Sequence, residues 1–588
     1  MKVSDYVFDF FSGKGVTQAF GVTGGAAGHL FDSIHKYPIN LVHMHHEQAC
    51  AMAADGYARV AKKASLVLLT NGPGVSNAIT GVLGAFQDSI PMVIISGQVS
   101  TRQMLSSGGG VQRQFGVQEV DTGKLVSSIV KYFKTVNSVD QLGENLEEAW
   151  LEANSGRPGP VWIEIPLDIQ SDNFNRGTKE QDPEILPAEI DYTQACAEIE
   201  NSKRPIIVIG GGVHLSNCEE SIVALARTLR IPVISTWGAI DVFNYDDPLY
   251  VGNFGILGNR AANIALQESD LLLILGSRLS IPNTGYATEL FSVNSKKIMV
   301  NIDRTEIEKS SLKIDFVYAC DLAQWISDFP IEEIQVNSAW LEWEQKLNKL
   351  KILLDIKNEA KSIEDDRIDA YTVVEILSRN LRDNSVLVTD MGTSFTCTMQ
   401  SFQRSQDVRI FTSSGTSSMG FGLPGAIGAH FADPTKRIVL IAGDGGFQMN
   451  IQELQTIKYH NIPIAIVILN SEGYLAISIM QKNIFDSNFV GSNPDSGIDA
   501  PDFSKVSIAF GISAERVSTS EELESKFNSL SMNTGPFLLE IMLPSDQVMR
   551  PRSQSMKDET GKIYSVGLDI MWPYLDQKMK NQVDQIIN

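Results

Sequence analysis

The chemically richest stretch of this 588-residue chain runs from Arg437 to Tyr474, RIVLIAGDGGFQMNIQELQTIKYHNIPIAIVILNSEGY. Its apolar opening predicts a strand ending in Gly443-Asp444-Gly445-Gly446. A helical pattern follows, with Ile451, Leu454 and Ile457 on one face, and a second strand then delivers Asn470-Ser471-Glu472-Gly473. Glycines at a strand-to-helix turn let backbone N–H groups approach a diphosphate, and the helix N-terminus adds positive potential. The Asp444 carboxylate would be repelled by such an anion unless a divalent cation lay between them. Hard oxygens from Asp444, the 470–471 turn and a backbone carbonyl suit magnesium. An isolated Gly-Asp-Gly is most simply a tight turn with a solvated aspartate, so the reading depends on what accompanies it.

Three other segments accompany it. LVHMHHEQACAMAADGYARV sets Glu47 at a strand-to-helix junction, ahead of Ala49, Ala53, Ala54 and Gly56, whose small size permits close packing. Taken alone, Glu47 is a carboxylate in a first helical turn, where the macrodipole favours it. His43, His45 and His46 follow strand alternation and read as packing or surface residues, not a metal cluster. SSGTSSMGFGLPGAIGA carries Met419 ahead of Gly420-Phe421-Gly422-Leu423-Pro424, and a methionine by itself means core filling. TDMGTS offers Gly392, Thr393 and Ser394 after a strand, where backbone and hydroxyl donors suit a diphosphate.

The elements that must position these residues are written in short β-branched runs between amphipathic helical patterns: SLVLLT, PMVIISG, RPIIVIGGG, DLLLILGS, SVLVTD, RIVLIAGDGG and AIVILN. Such runs bounded by glycine are buried parallel strands of βα units, so the class is α/β. A polar stretch from Asn173 to Pro187 and a charged helical one from Trp340 to Asp366, rich in Lys and Glu, break the rhythm and read as linkers. Three doubly wound parallel-sheet modules result, 1–175, 188–335 and 365–550, with a tail at 551–588. The first and third share a plan that suits joint custody of one cofactor. With 70 acidic against 48 basic residues the net charge is −22, which disfavours nucleic acid and anionic membranes as partners. Asp5, Asp9 and Lys14 interrupt the N-terminal apolar run, which predicts an amphipathic helix and not a signal peptide, and a cytoplasmic location. The five scattered cysteines, with no CxxC, read as buried reduced thiols.

Together these segments resemble the thiamine-diphosphate (ThDP) enzymes, whose fingerprint is GDG followed at a fixed interval by Asn-Asn. The resemblance implies that Asp444, the position of Ser471 and the carbonyl of Gly473 hold Mg2+, that Glu47 hydrogen-bonds the cofactor pyrimidine, and that Met419 wedges beneath the bent cofactor. It further implies cofactor contacts at Gly392, Thr393, Ser394, Ser417, Gly443, Gly445, Gly446, Tyr474 and Leu475. Ser471 departs from the fingerprint, where asparagine is usual; its hydroxyl is shorter but still a hard oxygen ligand. HEQACAMAADGYAR, TNGPGVSNAITGVLGAFQDSIPMVIISGQV, VQEVD, RPGPVWIEIPLDIQ, RPIIVIGGGV and QESDLLLILGSRL resemble acetolactate synthases along nearly the whole chain. That branch implies a central FAD-binding domain, with Gly210, Gly211, Gly212, Thr236, Gly276, Ser277, Arg278 and Asp303 at matching positions. It also implies a homodimer or homotetramer with active sites between subunits, and a substrate region around Gly24, Gly25, Gln118 and the Tyr474-to-Gln481 loop.

The departures redirect the acceptor. Where the family carries a GARFDDR-like stretch with a second arginine for the acceptor ketoacid, this chain reads GSRLSIP, with Pro282 there. Val117 replaces an aromatic residue before Gln118, Met480 stands where tryptophan is expected before Gln481, and Leu167 replaces a lysine. Losing charge-assisted hydrogen bonds of about 1.5 to 3 kcal/mol each argues against a ketoacid acceptor. The expectation is therefore a carboligase that decarboxylates a 2-ketoacid, pyruvate, and passes the two-carbon unit to a neutral carbonyl such as a nucleotide-linked ketosugar. The alternative is acetolactate from two pyruvates. Pyruvate oxidase or decarboxylase chemistry and a non-catalytic homologue are further alternatives.

Overall fold

The computed structural model describes residues 1–588 apart from 108–111, 176–189, 309–311, 361–367, 382, 405–406, 533, 558 and 561. The apolar runs form three six-stranded sheets. The first holds β1 (Gln18–Gly21), β2 (Asn40–His43), β3 (Ser65–Leu69), β4 (Met92–Gln98), β5 (Tyr132–Thr135) and β6 (Pro160–Pro166), in the order β2-β1-β3-β4-β6-β5. The central sheet holds β7 (Pro205–Ile209), β8 (Val233–Ser235), β9 (Tyr250–Asn253), β10 (Leu271–Leu275), β11 (Lys296–Val300) and β12 (Phe316–Tyr318), ordered β12-β11-β10-β7-β8-β9. The third holds β13 (Ser385–Thr389), β14 (Val408–Phe411), β15 (Arg437–Gly443), β16 (Ala465–Asn470), β17 (Ser513–Val517) and β18 (Phe537–Met542), ordered β14-β13-β15-β16-β18-β17. All pairings within the three sheets are parallel. Helices cover both faces, which is why PIIVI, LLLIL and AIVILN are buried at every position instead of alternating.

The first and third sheets repeat one strand order. In each sheet the order reverses between two adjacent strands, β1/β3, β7/β10 and β13/β15. A crevice opens beyond the carboxyl ends at such a switch point, and ligands of open α/β sheets bind there. The glycine turns singled out in the sequence fall at these places: Gly210–Gly212 after β7, Gly276 after β10, Gly392 after β13 and Gly443–Gly446 after β15.

The N-terminal and C-terminal sheets are joined by two helices, Glu47–Ala61 and Gly422–Ala432, whose backbones touch. A Cβ at Gly428 would lie 1.9 Å from the Ala53 carbonyl oxygen, and one at Gly56 would lie 2.2 Å from that of Gly425. The charged helical stretch forms a helix, Ser338–Leu353, with Trp340, Trp343, Leu347 and Leu350 buried, so it packs where a linker was expected. Its apolar positions belong to cores of the central module, so it is part of that module's packing; residues 361–366 of the stretch lie outside the described residues, as do 176–187 of the other linker. The tail docks back on the central module: Asn263 Nδ2 donates to the Leu568 carbonyl at 3.1 Å and Arg260 Nη1 to that of Met571 at 2.9 Å. A last helix, Gln577–Ile587, buries Val583 and Ile587 in the cluster that holds Trp343. The cysteines are free; Cys50, Cys218 and Cys397 are buried, while Cys196 and Cys320 are only half-buried. No helix among the described residues is long and apolar enough to cross a membrane.

Gly428→Ala is expected to lower stability by about 1 to 3 kcal/mol, the usual cost of overpacking against unyielding backbone. Gly28→Ala, a helical glycine with nothing within 4 Å of the added methyl, serves as the neutral control; a thermal melt of both variants checks it.

Candidate active site

At the β13/β15 switch point the chain gathers oxygen atoms around Asp444. The Asp444 carboxylate accepts the N–H of Gly445 at 2.7 Å, of Ser471 at 2.9 Å and of Gly473 at 3.0 Å. The Ser471 hydroxyl lies 3.4 Å from Asp444 Oδ2 and 3.3 Å from the Gly473 carbonyl oxygen. Asp444 is buried, and burial raises its pKa while the three peptide N–H groups oppose the rise. Asn470 does not join this group: its side chain donates to Glu540 and accepts from the Glu472 N–H. The donor set is thus one carboxylate, one hydroxyl and one carbonyl, all hard and within a few ångströms, which is the chemistry magnesium takes beside a phosphate.

Gly445 faces Met419, the residue expected to wedge beneath the cofactor. A Cβ there would lie 2.4 Å from the Tyr474 ring and 3.0 Å from Met419 Cε, so Tyr474, Met419 and the Gly-Asp-Gly turn share one wall. Gly392 has φ +95° at the start of the Thr393–Ser401 helix, a conformation that favours glycine. Ser394 does not serve as the expected hydroxyl donor, because its Oγ already donates to the Asp390 carbonyl at 2.9 Å. Thr393 and Leu475 are buried. Ser417 is exposed, donates to the Ser414 carbonyl, and faces the central cavity.

The other cluster belongs to the first sheet. Glu47 opens its helix, buried, with Asn77 Nδ2 donating to Oε2 at 2.9 Å; His46 caps the same helix by accepting the Gln48 N–H. Gly24 packs on Thr70, and Gly25 begins a short 3-10 turn. Gln118 has φ +57°, an uncommon left-handed backbone for a non-glycine residue, and only a glycine at 72 leaves room for its carbonyl. Asn71 Nδ2 donates to the Val117 carbonyl at 3.0 Å, and Glu119 accepts the Gly116 N–H at 2.8 Å. Val117 itself is 80% exposed and Met480 is 38% exposed. Gln481 is not a free substrate donor: its amide is spent on both backbone groups of Val490 and on the Ser492 hydroxyl. Among the described residues no hydrogen bond joins Glu47 to Asp444, Ser471 or Gly473.

A third site is a cavity of about 660 Å³ where the three modules meet. Gly211, Gly212, Thr236, Gly276, Ser277 and Arg278 line it, as does Pro282, whose carbonyl accepts the Ile256 N–H at 2.9 Å. Gly210 packs beneath, against Gly276 and Ser277. Asp303 does not line it; one oxygen pairs with Arg157 at 2.9 Å and the other accepts from Thr305. Beside the cavity, Asp241 pairs with Arg409 of the third sheet and with His214 Nε2 at 2.8 Å. Arg409 and His214 hold the Asp241 carboxyl far below the usual carboxylate range, against its own burial.

Sequence reasoning misses Asn77, Asn450 and the buried Asp390. Only Asp390 leaves a signal, as the acid that closes the SVLVTD strand before a glycine.

Three parallel-sheet modules, two of one plan, with an anion turn and hard oxygens at a switch point, make a nucleotide-type or diphosphate-cofactor enzyme. Residues 1–124 match the N-terminal TPP binding domain of thiamine pyrophosphate enzymes, 192–327 the central domain and 390–541 the C-terminal TPP binding domain. The chain is 32% identical to a probable acetolactate synthase large subunit of Methanocaldococcus jannaschii, over 92% of each chain. It is 30% identical to the acetolactate synthase isozyme 2 large subunit of Escherichia coli, over 92% of this chain and 96% of that one. The Haemophilus influenzae acetolactate synthase large subunit is 32% identical over 87% and 89%. The chain belongs to the thiamine pyrophosphate enzyme family. Within it this is an acetolactate-synthase-like, ThDP-dependent enzyme that forms carbon–carbon bonds.

Asp241→Asn leaves Arg409 and His214 facing a neutral amide, and breaking such a buried pair typically costs about 3 to 5 kcal/mol. Because the folded carboxyl is depressed, its stabilisation is held above the ordinary aspartate pKa of about 3.9 and lost progressively below it. Melting curves should therefore separate wild type from variant at neutral pH and converge in acid.

Proposed function

We propose that this enzyme decarboxylates pyruvate and joins the two-carbon unit to a second 2-ketoacid, giving acetolactate. The observation that carries the reading is the end-to-end similarity to acetolactate synthase large subunits, at 32% identity over 92% of the chain. It reverses the order of the two acceptors expected from the sequence. A neutral carbonyl, a nucleotide-linked ketosugar among them, stays as the second reading on one specific observation: Pro282 offers no charge to a carboxylate, and its carbonyl is already taken by Ile256.

ThDP, when bound, would supply the nucleophilic carbon and the electron sink that decarboxylation of a 2-ketoacid needs. Glu47 holds the pyrimidine through Oε1, since Asn77 occupies Oε2. That contact favours the tautomer able to remove a proton. Asp444, the Ser471 hydroxyl and the Gly473 carbonyl hold Mg2+, and the glycine turn presents N–H groups to the diphosphate. Gln118, kept in its left-handed backbone, hydrogen-bonds the reacting oxygen, with Gly24 and Gly25 beside it and Val117 and Met480 shaping the acceptor side.

FAD fits the central cavity as a non-redox group. The volume lies within the roughly 300 to 1,000 Å³ of ligand pockets. Trp237 and Arg409 line it with buried Nε1 and Nε atoms that have no hydrogen-bond partner among the described residues, and a flavin dinucleotide could satisfy them. The domains read as 1–175, 188–335 and 365–550 with a tail at 551–588. The active unit is at least a homodimer, working in the cytoplasm. Two facts support the pairing: Glu47 makes no hydrogen bond to the Asp444 corner among the described residues, and Phe115, Val117, Ile484, Phe485 and Val490 stand exposed beside the two clusters.

Pyruvate alone should yield acetolactate by mass spectrometry of the products; consumption of pyruvate only when a neutral ketosugar is added would replace the first reading with the second. Glu47→Gln should keep ThDP and Mg2+ binding in calorimetry while losing turnover about 10²-fold or more. Asp444→Asn should instead weaken Mg2+ binding at least about tenfold.

A further inference from the structure

Asp390 is a carboxylate in an unusual setting. It lies at the end of β13, fully buried, and among the described residues no cation pairs with it. Among the described residues its oxygens accept from peptide N–H groups alone: Met391 at 2.8 Å, Gly420 at 3.1 Å and Gly422 at 2.8 Å. Burial pushes its pKa up to about 6 while those donors pull it down. A buried charge without a counter-ion is costly unless it is fully hydrogen-bonded, so such a group marks a place where geometry is being held.

What it holds is the peptide after Met419. Gly420 has φ +93°, its N–H goes to Asp390, and its carbonyl accepts Asn450 Nδ2 at 2.7 Å. Asn450 is itself buried, with Oδ1 accepting from Gln452 Nε2 at 3.1 Å, so the amide cannot turn without losing both bonds. Gly420 is thus gripped from both sides. Asp390 also abuts the diphosphate turn: a Cβ at Gly446 would meet Asp390 Oδ1 at 2.3 Å. One carboxylate therefore registers the loop that carries Met419 against the turn that carries Asp444.

We propose that Asp390 and Asn450 are positioning residues that clamp the Met419–Gly420 peptide from opposite sides and so set the height of the side chain that supports the bent cofactor. This rests on the reading of Met419 as that support. A displacement of about 1 Å in such a support can cost about 10²-fold in rate without touching the reacting atoms.

The test uses the full-length protein, ThDP and Mg2+, with Asp390→Asn and Asn450→Ala; these attack the clamp from different elements, so one misfolded variant leaves the other informative. Amide hydrogen exchange of the cofactor-free protein should quicken over residues 415–422 in each. ThDP affinity by calorimetry should change by less than about threefold, while exchange of the bound cofactor's C2 proton with solvent deuterium slows by about 10²-fold, a binding-against-activation split. Met419→Ala should reproduce the slowed C2 exchange with normal amide protection over 420–422. Unchanged C2 exchange in variants whose 415–422 amides have loosened overturns the clamp, as does a joint collapse of melting temperature, affinity and C2 exchange in both variants. Wild-type C2 exchange no faster than that of free ThDP overturns the Met419 reading and the clamp with it. Rapid wild-type C2 exchange with no turnover of pyruvate sinks only the donor assignment and leaves the clamp standing.

Discussion

The backbone contact between the Glu47–Ala61 and Gly422–Ala432 helices constrains everything else. Each helix begins at a chemically equipped end, Glu47 on one and the Met419–Gly422 loop on the other, and the sheets behind them share a strand order. Side chains larger than hydrogen at Gly56 or Gly428 would push these axes apart, because the opposing atoms are backbone of the other helix and not yielding side chains. Alanines at 49, 53 and 54 extend the same flat surface. The relative placement of the two clusters is therefore set by backbone against backbone, the least compressible contact available.

Charge is handled differently within the modules and between them. Inside the third module, Asp390 and Asp444 are buried without cations and are satisfied by peptide N–H groups, which fix loops but leave no positive side chain to compete with a metal. Between modules the carboxylates meet arginines and lysines: Asp241 with Arg409, Asp303 and Glu306 with Arg157, Glu219 with Lys62; Asp88 pairs with Arg59 inside the N-terminal module. Asp88 also accepts the N–H groups of Ser414 and Gly415, tying the N-terminal module to the loop before Met419. Such ion pairs are weak contributors to net stability but orient one module against another, since breaking one partner leaves the other stranded.

The three-sheet architecture is legible in the sequence because parallel strands covered on both faces are continuous apolar runs, and helices between them keep a different period. The turns at Gly392, Gly443–Gly446, Gly210–Gly212 and Gly276 are legible for a related reason: glycine at a strand's carboxyl end is a local signal, and the switch point that makes it useful follows from strand order. What fails is anything decided by a partner far away in sequence. Ser394 and Gln481 look like donors, yet their hydrogen bonds are spent on Asp390 and on the 490–492 segment. Asp303 falls at a position that matches the FAD-binding residues of the family, yet Arg157, 146 residues earlier, pairs with it. The Ser338–Leu353 helix reads as a linker because its charged face dominates the composition; its buried tryptophans show only when the packing is known. Asn77 and Asn450 carry no motif of their own, Asp390 only its place at the end of a strand before a glycine, and all three gain meaning from the groups that they touch.

The acceptor question comes down to which cations are available and which are engaged. The chain is strongly acidic overall, so an anionic substrate gains nothing from the long-range field and must be drawn by local groups. Among the described residues Arg59, Lys62, Arg157, Arg278 and Arg409 line the central cavity, and Arg59, Lys62, Arg157 and Arg409 are ion-paired to carboxylates. An incoming carboxylate would have to displace those partners, whereas a diphosphate can add to them at the glycine turns without breaking a pair, because peptide N–H groups supply the extra bonds. Arg278 stands four residues before Pro282 on the same wall, at the carboxyl end of β10. Within this cavity, the charge that proline denies to position 282 would come from a residue whose present interactions are given up on binding. That exchange is a smaller gain than a dedicated arginine would give, and it predicts weak discrimination between charged and neutral acceptors, not a categorical rejection of either.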